Sequence, residues 1–124
     1  MRESGLTAFK TGEVSCLVTT DVMSRGIDVA GVRAVINYEL PEGEQAFERY
    51  THRVGRTGRG GAEGVAYSFV CDNDKDIMYD LVRRLSEMRV ALPGQVRNHP
   101  MARAEAKLQL LEESKGKASA DSDD

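Results

Sequence analysis

The sequence predicts an open parallel α/β sheet with flanking helices, incomplete at its N-terminal side. Short, nearly continuous apolar runs rich in β-branched residues recur along the chain, as in strands that are covered on both faces. Helical patterns separate these runs, and strands that alternate with helices are typical of a parallel sheet. A chain of 124 residues has room for one such domain with a modest core.

The first half of the chain predicts one helix and two strands. "RESGLTAFKT", residues 2–11, has apolar residues three apart and is followed by Gly12, which suits a helix with a glycine C-cap. "VSCLVTT", residues 14–20, and "VRAVINY", residues 32–38, predict the first two strands. No strand precedes the opening helix, so the sheet would have an unpaired edge. We therefore expect a neighbouring segment to be missing.

The second half predicts a helix, a strand and a further helix. A helical pattern runs from Ala46 to Val54, with Phe47 and Tyr50 on the same face. "GVAYSFVC", residues 64–71, predicts the third strand. "NDKDIMYDLVRRLSEM" then predicts a helix with Asn73 or Asp74 as its N-cap. The predicted buried stripe of this last helix consists of Ile77, Leu81, Val82, Leu85 and Met88.

The composition changes near the carboxyl end, which divides the chain into a partial domain at residues 1–99 and a tail at residues 100–124. "MARAEAKLQLLEE" predicts a short helix, and "SKGKASADSDD" predicts a disordered acidic tail. Ala104, Leu108 and Leu111 would form a docking helix for a protein partner. Alternatively, this stretch packs on its own domain or frays.

The charge and hydropathy of the chain place it in an ordinary class of proteins. Its formal net charge is −3, so phosphate contacts would have to come from a local basic cluster rather than from the overall field. Its apolar runs are far shorter than the roughly 20 residues of a membrane span, and no signal peptide opens the chain. We therefore expect an intracellular protein, of the nucleus, nucleolus or cytoplasm.

The two cysteines and two histidines do not have the spacing of a metal site. Cys16 and Cys71 stand alone inside apolar runs, which predicts buried thiols rather than a disulfide or a metal centre. His52 and His99 are likewise isolated in the sequence. No metal-ligating residues are predicted in this chain.

The loop after the first predicted strand has the composition of a nucleotide contact. "TTDVMSRGID", residues 19–28, would leave the carboxyl end of that strand, where ligands of open α/β sheets commonly bind. Gly26 lets a backbone approach closely, and the Asp28 carboxylate can accept two hydrogen bonds from a ribose diol. Alternatively, Asp28 is a turn residue that hydrogen-bonds its own backbone.

A second loop gathers arginines that suit a phosphate. "YTHRVGRTGRGG" and the residue before it contain Arg49, Arg53, Arg56 and Arg59, with no acidic residue between the first and the last. A helix that ends near Gly55 would send the last three arginines toward one side. Guanidinium groups match phosphoryl oxygens, and glycines let backbone amides approach an anion. A solvated basic face is the alternative, but such rows normally alternate with glutamates.

These two loops resemble the fifth and sixth motifs of the DEAD-box ATP-dependent RNA helicases. "TTDVMSRGID", "INYELP" and "HRVGRTGRGG" follow in the family's order and spacing, and "RESGLTAFKTG" matches an earlier family pattern. The resemblance covers residues 2–93 and implies a truncated C-terminal RecA-like domain. His52 stands where related DNA-directed and DEAH groups usually have glutamine, which favours the RNA branch.

The resemblance implies an ATP site shared with another domain. Arg56 and Arg59 would be catalytic arginine fingers that reach the γ-phosphate of ATP. Gly26 and Asp28 would hold the ribose. Mg²⁺ would accompany the ATP and be held by the first RecA-like domain of the family, which this chain lacks.

The resemblance also implies an RNA-binding set, which consists of Arg2, Gly12, Thr20 and Asp21. These residues would contact phosphates and sugars but not base edges, so binding would tolerate different sequences. His52 and Arg53 would line the cleft between the two domains.

The motifs that hold and activate ATP in this family are absent from the sequence. The chain contains no G-x-x-x-x-G-K-[ST] phosphate loop, no D-E-A-D and no S-A-T. We therefore expect the chain to be part of an RNA helicase and to be inactive alone. The alternative is a stand-alone RNA-binding or interaction fragment that never turns over ATP.

Overall fold

A computed structural model describes residues 2–21, 29–61 and 63–122 of the chain. Within these residues lie seven helices and strands, together with 3-10 turns at Arg59–Gly61 and Pro100–Ala102: α1 (Arg2–Lys10), β1 (Ala34–Asn37), α2 (Ala46–Val54), β2 (Val65–Ser68), α3 (Lys75–Glu87), α4 (Gly94–Arg97) and α5 (Ala104–Ser122). They form two compact units, Met1–Tyr38 with Arg49–Ser68, and Glu39–Glu48 with Phe69–Asp124. Within the described residues, no helix is both long and apolar enough to cross a membrane.

The first unit contains the parallel sheet that the sequence predicts. β1 and β2 pair in parallel from Ala34 with Val65 to Asn37 with Ser68. α2 connects these strands in sequence, as a parallel connection requires. The α/β fold class is therefore confirmed, although each strand is only four residues long.

The opening helix of the first unit ends where the sequence predicts. α1 is followed by Gly12, whose φ of 82° lies in the left-handed region that favours glycine. The backbone N–H of Gly12 donates to the Phe9 carbonyl at 3.2 Å and that of Thr11 to the Thr7 carbonyl at 3.0 Å. These bonds satisfy carbonyl groups at the end of the helix.

The prediction of a strand at residues 14–20 is wrong. These residues form neither helix nor strand in the described chain, and Val18 is 93% exposed. A strand needs a neighbour with which to exchange backbone hydrogen bonds, and the sheet of the described residues consists of β1 and β2. An apolar, β-branched run is thus insufficient to make a strand here.

The prediction that both cysteines are buried is also wrong. Cys16 is exposed because it lies within residues 14–20, which do not form a strand. Cys71 is exposed because β2 ends at Ser68, three residues earlier, and leaves this residue in a loop. The backbone N–H of Cys71 donates to the Asp74 carboxylate at 2.7 Å, which closes the turn before α3.

The second unit has an apolar core built around α3. Its buried apolar side chains come from α3, from the first residue of α2 and from the segment before it: Leu40, Ala46, Ile77, Met78 and Leu81. Ile77 and Leu81 confirm the predicted stripe, with Val82 and Leu85 half-buried. Met88 does not belong to the stripe, because α3 ends at Glu87 and leaves this residue 71% exposed. Met78 was not predicted.

The last helix is longer than the sequence predicts. α5 continues to Ser122, through residues expected to be irregular, because alanine and lysine, which favour helix, recur among them. Lys107 Nζ donates to Asp80 of α3 at 3.0 Å, and Ser114 donates to Glu44 at 2.5 Å. These contacts fit the alternative in which the stretch packs on its own domain.

Candidate nucleotide and RNA interface

The predicted phosphate-binding arginines lie where α2 ends. α2 finishes at Val54, and successive turns carry the chain onward from Gly55, whose N–H donates to the Thr51 carbonyl at 2.9 Å. Arg56 follows directly, and Arg59 opens the 3-10 turn Arg59–Gly61. The predicted helix end near Gly55 is therefore confirmed.

Arg53, on the last turn of α2, forms a bidentate ion pair with Asp21. Its Nε lies 2.5 Å from Asp21 Oδ1, and its terminal nitrogen lies 2.8 Å from Oδ2. Both side chains are partly buried, at 22% and 31% exposure. A planar guanidinium that faces both carboxylate oxygens is the strongest geometry for such a pair. The pair thus connects the end of residues 14–21 with α2, the helix that precedes Arg56 and Arg59.

Arg56 is held against the end of the helix that precedes it. Its Nε donates to the backbone carbonyl of His52 at 3.3 Å. The last carbonyls of a helix carry partial negative charge and accept few bonds within the helix, so a guanidinium is favourable there. Arg56 is half-buried, whereas Arg59 and His52 are exposed.

A glycine contact fixes the turn between the two arginines. A Cβ atom on Gly64 would lie 2.4 Å from the Gly58 nitrogen and 2.4 Å from the Thr57 hydroxyl oxygen. Gly58 itself has a φ of 68°. The Thr57 hydroxyl in turn donates to the Val32 carbonyl at 2.5 Å. Close backbone approach therefore fixes the turn to the segments that precede β1 and β2.

The structure brings only part of the predicted site together. Asp21 meets Arg53, and Arg56 meets the His52 carbonyl. The other predicted RNA-binding residues lie elsewhere in the first unit: Arg2 begins α1, Gly12 follows its end, and Thr20 is exposed. Gly26 and Asp28 lie outside the described residues, as does the side chain of Arg2.

A polar network near the site was missed by sequence reasoning. Asn37, only 2% exposed, donates from Nδ2 to the Ser68 hydroxyl at 3.1 Å. Burial raises the pKa of the Tyr50 phenol above its ordinary value, and a hydrogen bond with the Ser68 side chain opposes the rise. The polar residues at the ends of "AVIN" and "VAYS" are the sequence feature from which this network could have been predicted.

The described residues do not contain a cluster of metal-binding side chains. Among them, no three histidine, cysteine, aspartate or glutamate side chains are grouped so that they could hold a metal ion. The Arg56 and Arg59 guanidinium groups suit an anion rather than a cation.

The chain is similar to helicases along most of its length. A family model described as the helicase conserved C-terminal domain matches residues 1–61. The pre-mRNA-splicing ATP-dependent RNA helicase PRP28 of Chaetomium globosum is 42% identical over 104 residues, which cover 83% of this chain and 14% of that protein. DEAD-box ATP-dependent RNA helicase 40 of Oryza sativa subsp. japonica is 47% identical over 92 residues, or 74% of this chain and 11% of that protein.

A third relative, the ATP-dependent RNA helicase ddx23 of Dictyostelium discoideum, is 46% identical over 99 residues, or 80% of this chain and 12% of that protein. The chain thus spans a small fraction of the length of these relatives.

The parallel strands, the arginine-bearing helix end and the matched family model define a RecA-like helicase C-terminal domain. This chain belongs to the DEAD-box RNA helicase family.

Proposed function

We propose that the chain is the second-domain part of an ATP-dependent DEAD-box RNA helicase, which unwinds or remodels RNA. One observation carries the proposal. Arg56 lies in the turn directly after α2 and Arg59 three residues later, in a chain whose relatives are named ATP-dependent RNA helicases.

The proposed role of Arg56 and Arg59 is to stabilise charge on the γ-phosphate during hydrolysis. Phosphoryl transfer depends on positioning and on charge neutralisation, and arginines from a second domain supply the latter. Contact of Arg56 Nε with the His52 carbonyl limits the positions of its guanidinium before ATP arrives. Gly26 and Asp28 would hold the ribose, and the first domain would hold Mg²⁺.

The proposed RNA contacts are with the sugar–phosphate backbone. Arg2, Gly12 and Thr20 would contact the strand directly. Asp21 would contact the strand as well, and both of its carboxylate oxygens face the guanidinium of Arg53. Asp21 would then orient Arg53, which with His52 would line the cleft between the domains. Base edges would remain unread, so RNA binding would be sequence-tolerant.

Two smaller proposals complete the function. We place the protein inside the cell, since its relatives are named for work on RNA. We also propose a protein partner at α5, where Leu108 is 60% and Leu111 38% exposed.

We expect the 124-residue chain alone to show no RNA-stimulated ATP hydrolysis. Fused behind the segment that precedes the matched region in the Chaetomium globosum relative, the same chain should hydrolyse ATP in response to single-stranded RNA. The measurement is phosphate release with and without RNA, and the control is the relative's segment alone.

Two outcomes would contradict this proposal. Turnover by the 124-residue chain alone would show that it holds a complete nucleotide site. An inactive fusion protein that still binds RNA as tightly as the chain alone would favour the stand-alone RNA-binding fragment instead.

A further inference from the structure

We propose that the network of Asn37, Ser68 and Tyr50 is a positioning device, which sets the orientation of α2 on the sheet and thereby places Arg53 and Arg56. This inference depends on the proposed function only for the roles that Arg53 and Arg56 have in the helicase. The network itself lies entirely within the first unit.

Burial is the first observation that supports this inference. Among residues whose burial the structure describes, Asn37 is the one fully buried residue of the first unit, and it is polar. Its Oδ1 is buried without a hydrogen-bond partner in the described part of the chain. Buried polar atoms normally have partners, because an unpaired one destabilises the fold. A β-branched apolar residue would suit this strand position better for stability alone.

The bonding of the network is the second observation. Asn37 and Ser68 are direct neighbours in the parallel register, at the carboxyl ends of β1 and β2. The Ser68 oxygen accepts from Asn37 Nδ2. A hydroxyl that accepts one bond still has its own hydrogen to donate. The Ser68 side chain also hydrogen-bonds Tyr50 of α2, so this hydroxyl connects the strand with the helix.

The position of Tyr50 connects this network with the arginines. Tyr50 lies on α2, three residues before Arg53, so the two side chains are neighbours along the helix. A bond between Tyr50 and Ser68, the last residue of β2, therefore restrains the rotation of the last turns of α2. Arg53 must keep this rotation to face Asp21, and the Arg56 side chain contacts the same last turn.

The test uses the 124-residue chain with Asn37 replaced by valine or, to avoid overfilling the site, by alanine. We expect the valine variant to keep or raise the Tm, because an unpaired buried acceptor is removed. We also expect the Nε–H resonances of Arg53 and Arg56 to shift or broaden in both variants, and the pKa of Tyr50 to rise further. Ser68→Ala should raise that pKa as well, since it removes the hydrogen bond that opposes the rise.

The matched control is Tyr67→Phe, which removes a phenolic hydroxyl from an exposed residue of β2 next to Ser68. This variant should leave the arginine resonances and the pKa of Tyr50 unchanged. If the folded valine and alanine variants both retain the wild-type arginine resonances and the wild-type pKa of Tyr50, Asn37 has no positioning role. Because no turnover is measured, this result would leave the proposed helicase function intact.

Discussion

Replacing Arg56 or Arg59 by alanine is expected to lower ATP turnover of the fusion protein by about 10³-fold or more, which is the range for loss of an arginine finger. The two guanidinium groups would meet charge that develops on the γ-phosphate in the transition state. An interaction made mainly in the transition state affects kcat more than KM. Steady-state phosphate release at saturating RNA, measured over a range of ATP concentrations, gives both constants.

The matched control for these variants is Arg83→Ala. Arg83 lies on α3 in the second unit, is 61% exposed, and pairs with Glu87 along the same helix. Its removal should leave kcat within the error of the wild-type value. If Arg56→Ala and Arg59→Ala lower kcat no more than Arg83→Ala does, the arginines are not fingers, although the chain would still belong to the same family.

A second large effect is expected at the ion pair of Asp21 and Arg53. Asp21→Asn and Arg53→Gln should each lower the free energy of unfolding of the 124-residue chain by about 1.5–3 kcal/mol, as for hydrogen bonds to charged groups. Each single variant removes the charge that faces a partly buried group of opposite sign. The double variant should therefore be little worse than either single variant. Urea unfolding of all four chains gives the coupling free energy.

The pair of Lys107 and Asp80 provides a comparison for this cycle. Its two side chains have the same exposures, 22% and 31%, but only one nitrogen-to-oxygen contact is formed, at 3.0 Å. We expect a smaller coupling free energy there, because the bidentate geometry is missing. Additive effects of Asp21→Asn and Arg53→Gln would contradict the role given to the pair. They would show that this pair contributes no coupling free energy between residues 14–21 and α2.

Local patterns predicted α1, α2 and α3 well. The glycines after α1 and α2 marked both ends, and Gly12 has the left-handed backbone conformation in which many helices end. The predicted helix end near Gly55 placed Arg56 and Arg59 correctly beyond α2. These features depend on residues close together in sequence, so they can be predicted without the rest of the fold.

The errors arose where the outcome depends on distant residues. Residues 14–20 have the composition of a strand, but pairing decides whether a strand forms, and Cys16 is exposed as a result. Met88 fits the helical period, yet the helix ends one residue earlier. In the sequence, Asn37 is a polar residue near the end of an apolar run. Its bond with Ser68 depends on the register of β1 with β2, which the sequence does not show.

The most direct test of the central claim is a structure of the fusion protein with ADP, a fluoroaluminate and single-stranded RNA. We predict that Arg56 and Arg59 donate hydrogen bonds of about 2.7–3.1 Å to the fluoroaluminate, at the place where the γ-phosphate would react. A closed complex in which neither guanidinium reaches that group would contradict the account.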